Sequence, residues 1–101
     1  MKRGNYKKSA QKVINKVIEK HGYICCEKCG VSSGTMFHTH HIVYRSEAGK
    51  HENLHDPRNL ILVDDKCHRW FHSKKSNRDD IIKERKLWEL FPKILQRFKP
   101  D

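Results

Sequence analysis

The chain has 101 residues, of which 36% are hydrophobic, enough for one small domain with a modest core. Lysine and arginine outnumber aspartate and glutamate by 22 to 12, giving a formal net charge of +10. That excess favours a polyanionic partner, most simply nucleic acid, with a membrane surface as the rival. No stretch is long and apolar enough to span a bilayer, and no apolar secretory signal opens the chain. We therefore expect a cytoplasmic protein without a membrane partner.

Residues 1–8 are basic and are predicted to form a loose tail. Ser9 is suited to cap a helix that ends at Gly22. Within it, five apolar residues recur at helical spacing, namely Ala10, Val13, Ile14, Val17 and Ile18. This spacing predicts an amphipathic helix over residues 9–21, packed on the core.

The chain contains four cysteines, three of them shortly after this helix and the fourth at Cys67. Cys26 and Cys29, with Gly30 after them, have the spacing of a knuckle whose two thiolates face one metal ion. Because the sequence shows no secretory signal, we expect a metal clip here and no disulfide framework. Cys25 falls outside this spacing and is interpreted as a small buried residue.

Two short strands and a helix are predicted next. Residues 36–44 read as a strand carrying His40 and His41, and residues 59–63 as a second strand that begins at Asn59. The polar residues 45–58 between them are predicted to form a long loop, and a helix is expected from Lys66.

The C-terminal region is predicted to form a helical arm over residues 77–98, interrupted at Pro92. Its apolar positions include Ile81, Leu87, Trp88, Leu90, Phe91, Ile94, Leu95 and Phe98. We expect the arm mainly to pack on the core and secondarily to touch DNA through its basic residues.

Histidines are concentrated in two places, His38–His41 and His68–His72, which hold five of the eight in the chain. Neighbouring strand residues point to opposite faces, so His40 and His41 are expected to act on different sides. His68 and His72 are four residues apart and share one face of a helix. Together with His40 they would offer three imidazoles to one ion and leave positions open for substrate and water.

These residues, in this order, resemble the HNH endonuclease motif: His40-His41-Ile42, then Asn59-Leu60, then Cys67-His68-x-x-x-His72. The upstream Cys26-x-x-Cys29 is similar to the zinc-knuckle subgroup of phage and bacterial members. The resemblance implies an α+β fold, a ββα-metal finger over residues 26–72. Helices would flank it on both sides in a single domain of residues 1–101.

The resemblance also implies roles for individual residues. His41 resembles the general base that activates water, and Asn59 the residue that orients it. His40, His68 and His72 are expected to hold one divalent ion, which could be magnesium, manganese, nickel or zinc. If fewer groups hold the ion, His72 is expected to contact phosphate instead. Arg45 and Arg69 are expected to contact DNA phosphate.

The second half of the zinc knuckle departs from the subgroup, because Asp64 stands where a cysteine is usual. Cys26, Cys29, Cys67 and Asp64 can still hold a structural zinc, since aspartate is an accepted ligand. The alternatives are that the three cysteines simply pack together, or that Cys25 replaces one ligand. Tyr44 stands where the family often has proline.

The expected function is a metal-dependent DNA endonuclease that nicks or cuts double-stranded DNA. A bacterial or phage-encoded protein would suit the family, with phage packaging or other DNA-processing proteins as further partners. The alternative is a non-catalytic, zinc-finger-like DNA-binding module or a subunit of a phage DNA-processing complex. RNA as the substrate stays open.

Overall fold

A computed structural model describes residues 5–100 of the chain. In chain order the elements are α1 (Tyr6–His21), β1 (Phe37–His41), α2 (Arg45–Ala48), β2 (Leu60–Asp64), α3 (Asp65–Ser73) and α4 (Lys75–Arg85), with 3-10 turns at Pro57–Asn59, Leu87–Glu89 and Gln96–Phe98. The expected α+β arrangement, two antiparallel strands followed by a helix and flanked by others, is confirmed. No helix within the described residues has the length and apolar character needed to cross a membrane.

The sheet forms the middle layer of the domain. β1 and β2 pair antiparallel, with Phe37 opposite Asp64 and His41 opposite Leu60. All five residues of β2 are buried, because helices cover both of its faces. Leu60 and Leu62 pack against α1, whereas Ile61 and Val63 join the larger core formed with α3, α4 and the C-terminal turns.

The first helix begins earlier than the sequence predicted. The side-chain Oδ1 of Asn5 accepts hydrogen bonds from the backbone N–H groups of Lys7 and Lys8, at 2.9 and 3.3 Å, so Asn5 is the N-cap. Ser9 instead lies buried inside the helix. Of the predicted tail, residues 1–4 lie outside the described residues. The helix ends as expected at Gly22, whose φ of 84° is left-handed.

The prediction of a helical arm over residues 77–98 was wrong in its extent. α4 ends at Arg85, since Lys86 adopts a left-handed φ of 53° and its N–H bonds back to the helix. Leu87, Phe91 and Leu95 are all buried. Their spacing of four imitated a helix, but they belong to separate turns that close over the larger core.

Residues 45–58 are also less irregular than predicted. They contain the single turn α2 and part of the 3-10 turn at Pro57–Asn59. The Arg78 guanidinium of α4 is buried and pairs with the Glu47 carboxylate of α2. This ion pair fixes the segment that follows the histidine pair against α4.

Candidate active site

Strand geometry separates the two histidines of the pair. His40 lies opposite Ile61 in the register, on the face covered by α3, and His41 lies opposite Leu60, on the face covered by α1. The two imidazoles point to opposite sides of β1, as the period of a strand predicts, since His40 contacts residues of α3 and His41 contacts a residue of α1.

His40, His68 and His72 form one cluster. Their ring centroids are 4.7–4.9 Å apart. One ring nitrogen from each lies within 4.8 Å of the others. His68 and His72 come from successive turns of α3, so the helix presents both toward β1. His72 is exposed while the other two are half-buried, which leaves the cluster open to solvent on one side.

The electrostatics of the cluster favour neutral imidazoles. Burial, and then the nearby imidazoles of His72 and His68, lower the pKa of His40 to about 4. Burial and the neighbouring His38 also lower the pKa of His68. Near neutral pH both rings therefore carry a lone pair that a metal ion can accept.

The residues present fit a divalent ion. Within residues 5–100, the buried Nε2 atom of His40 has no hydrogen-bond partner, and a buried polar atom left in this way calls for an explanation such as an ion. Three imidazoles around an open side match the donor set of a catalytic metal site.

Two further side chains support the cluster and were not assigned a role from the sequence. The His38 ring stacks on that of His68 at 4.7 Å, and its Nε2 lies 3.2 Å from an Asp65 carboxylate oxygen. The Tyr44 hydroxyl lies 3.4 Å from Nδ1 of His72, with the two rings stacked. The period of two along β1 could have placed His38 beside His40.

His41 is enclosed by residues that the sequence analysis missed. Its Nε2 lies 3.0 Å from Nδ1 of the buried His55. The Tyr6 ring of α1 packs against both imidazoles. No local pattern pointed to Tyr6 or His55, because they reach His41 from distant parts of the chain.

The Asn59 side chain is fully buried between two loop segments. Its Oδ1 accepts a hydrogen bond from the Val43 N–H at 2.8 Å, and its Nδ2 donates to the carbonyls of Val43 at 3.1 Å and Leu54 at 2.9 Å. Asn59 thus joins the chain just after His41 to the chain just before His55.

The second cluster comprises the four residues expected to hold zinc, Cys26, Cys29, Asp64 and Cys67, whose ligand atoms lie within 4.8 Å of one another. The knuckle lies against the outer edge of β2. There the Glu27 N–H donates to the Leu62 carbonyl at 2.8 Å, and the Leu62 N–H donates to the Glu27 carboxylate at 2.9 Å. That docking brings Cys26 and Cys29 to Asp64 and Cys67. Cys25 is buried in the other core, beside α1, in agreement with its interpretation as a small buried residue.

The thiols of this cluster lie around the Asp64 carboxylate, and Cys29 Sγ is 3.4 Å from one of its oxygens. Hydrogen bonds from the thiols, that of Cys67 first, hold the pKa of Asp64 well below its usual range. Burial, and then the Asp64 carboxylate, raise the pKa of the Cys67 thiol far above its usual range. The backbone N–H groups of Lys28 and Cys29 point to the Cys26 sulfur at 3.3 and 3.4 Å. This convergence of three sulfurs and a carboxylate fits a structural zinc ion, which would displace the thiol protons.

The two arginines expected to contact phosphate lie at different places on the surface. Arg45 is exposed at the start of α2, directly after Tyr44. Arg69 is exposed on α3 and lies 3.6 Å from the Asp65 carboxylate. Both side chains are exposed to solvent.

Comparisons with known proteins gave one match. A family model described as HNH endonuclease matches residues 25–75, a range that includes both clusters and both strands. No curated protein matches the chain, and no solved structure matches it either.

Proposed function

The chain belongs to the HNH endonuclease family, and we propose that it is a divalent-metal-dependent endonuclease that hydrolyses phosphodiester bonds of double-stranded DNA. The observation that carries the proposal is the cluster of His40, His68 and His72 on one face of β1, with His41 on the other. Within residues 5–100, β2 is the one strand paired with β1. The other edge of β1 therefore has no strand partner there, and the Tyr6 hydroxyl donates to the Thr39 carbonyl.

In this proposal His41 acts as the general base. It takes a proton from a water molecule, and the resulting hydroxide attacks phosphorus, leaving a 5′-phosphate and a 3′-hydroxyl as expected for the family. His40, His68 and His72 hold the divalent ion. When bound, that ion stabilises the negative charge on the phosphate and on the leaving oxygen.

The remaining site residues support this chemistry from outside. Asn59 orients His41 through the loop segments that its amide joins. Arg45 and Arg69 contact phosphate, adding affinity without sequence preference. The net charge of +10 agrees with a substrate recognised largely through its backbone.

The separation of the two clusters favours an enzyme over a zinc-finger-like binding module. A structural zinc needs four ligands, and Cys26, Cys29, Cys67 and Asp64 supply them without any histidine. The histidine cluster is then a second, open site that a binding module would not require.

Supercoiled plasmid incubated with the protein tests the proposal, first with chelator and then with magnesium, manganese, nickel or zinc. We expect nicked or linear DNA only with a divalent ion, and none from His41→Ala, whose folding and metal binding should be nearly unchanged. DNA binding without cleavage under every metal would refute the proposal for the isolated protein. It would favour the binding module or a subunit of a larger DNA-processing complex.

A further inference from the structure

His55 lies directly behind His41. It is 5% exposed although it belongs to an irregular loop, and a buried loop histidine requires specific partners. Its Nδ1 is 3.0 Å from Nε2 of His41, and the ring centroids are 5.1 Å apart. The short distance between two ring nitrogens means that one of them carries a proton and the other a lone pair.

The contact is held from two sides. The Tyr6 ring lies 5.3 Å from that of His41 and 5.7 Å from that of His55, and its hydroxyl donates to the Thr39 carbonyl at 2.9 Å. On the other side, the amide of Asn59 donates to the carbonyl of Leu54, the residue before His55. The first helix and the buried asparagine therefore both restrict where the His55 ring can lie.

We propose that His55 is a positioning residue that holds His41 in the tautomer required of a general base. This inference rests on the proposed nuclease function and deepens it. His41 donates its Nε2–H to the Nδ1 lone pair of His55, which leaves the Nδ1 lone pair of His41 as the proton acceptor. In the opposite tautomer His41 would carry its proton on Nδ1 and could not accept another there.

The proton and electron balance follows from this arrangement. The water O–H bond breaks, its proton goes to Nδ1 of His41, and the oxygen forms a bond to phosphorus. The bond from phosphorus to the 3′-oxygen breaks, and that oxygen takes a proton from solvent. The imidazolium formed on His41 keeps its Nε2–H bond to His55, which stabilises the charge, as hydrogen bonds to ionised groups are the stronger ones.

Three substitutions of His55 separate positioning from packing. Asparagine places its side-chain oxygen close to the place of Nδ1 and can still accept the hydrogen bond from His41. Leucine fills similar volume without an acceptor, and glutamine places its amide near Nε2 instead. His51→Leu is the matched control. His51 lies in the same loop, but its Nδ1 accepts a hydrogen bond from the backbone N–H of Asn53 at 3.0 Å and not from a proposed catalytic side chain.

We expect His55→Leu to lower kcat for plasmid cleavage by about 10–100-fold, taking the range known for groups that orient metal-ligating histidines, with an unchanged KM for DNA. His55→Asn should recover most of the rate, His55→Gln little of it, and His51→Leu should stay near wild type. Wild-type rates in His55→Leu, or an asparagine variant as slow as the leucine variant, would overturn the proposal.

A second measurement does not depend on activity or on the folding of a variant. Long-range ¹H–¹⁵N spectra of the wild-type protein report which ring nitrogen of His41 carries the proton. We expect Nε2–H, and a proton on Nδ1 would overturn the proposal. If the wild-type protein cleaves DNA with none of the metals, the proposed nuclease function fails, while this spectrum still decides whether His55 sets the tautomer of His41.

Discussion

Replacing Asn59 with alanine is expected to lower the free energy of unfolding by about 3–6 kcal/mol. The Asn59 side chain is fully buried and makes three hydrogen bonds, to the N–H and carbonyl of Val43 and to the carbonyl of Leu54. Truncation leaves these buried backbone groups without that partner, at about 1–2 kcal/mol each. Small domains have a total stability of about 5–15 kcal/mol, so the loss is a large fraction of it.

Urea denaturation followed by circular dichroism would measure this loss, with the zinc and the divalent ion held at fixed concentrations. Asn53→Ala is the matched control, since Asn53 is half-buried and donates one hydrogen bond, to the Leu90 carbonyl, and it should lose only about 1 kcal/mol. An Asn59→Ala protein that unfolds at the wild-type urea concentration yet fails to cut DNA would refute this reasoning. Asn59 would then act on the reaction itself.

Three further outcomes are expected. Elemental analysis should find no zinc in Cys29→Ala, and chelator should no longer lower its melting temperature. Cys25→Ala should keep its zinc. Equal effects of chelator on the melting temperatures of wild type and Cys29→Ala would exclude a zinc site. Without metal, the free energy of unfolding should fall as pH drops from 6.5 toward about 4, because the pKa of His40 is lowered only in the folded state. A His40→Asn variant with the same pH slope in urea titrations would contradict this. Lys86→Gly should raise stability by about 0.5–1 kcal/mol, because glycine adopts the left-handed φ of 53° without strain, and calorimetry showing no rise in Tm would argue against that strain.

The histidine and cysteine clusters were predictable because their members follow local rules. The period of a strand separates His40 from His41, and the period of a helix joins His68 to His72. The knuckle spacing likewise brings Cys26 to Cys29. These rules act over a few residues, so they can be read without knowing how the elements pack.

The limits of the elements were less predictable. Asn5 and Ser9 are both good helix caps by residue type, and only the packing of α1 on the sheet decides between them. The prediction of one helical arm at the C-terminus was wrong for a similar reason. Leu87, Phe91 and Leu95 are spaced four residues apart because all three are buried against one core. Short turns can produce this spacing as well as a helix can.

The sequence by itself determined the family motif, the two clusters of candidate metal ligands and the strong positive charge of this protein. Each depends on residue type and short-range spacing. Only the tertiary structure decided what surrounds His41. Tyr6 comes from the first helix and His55 from an irregular loop, and both reach His41 because α1 covers one face of the sheet. Contacts between segments far apart in sequence depend on how the helices pack on the sheet, which no local pattern of residues encodes.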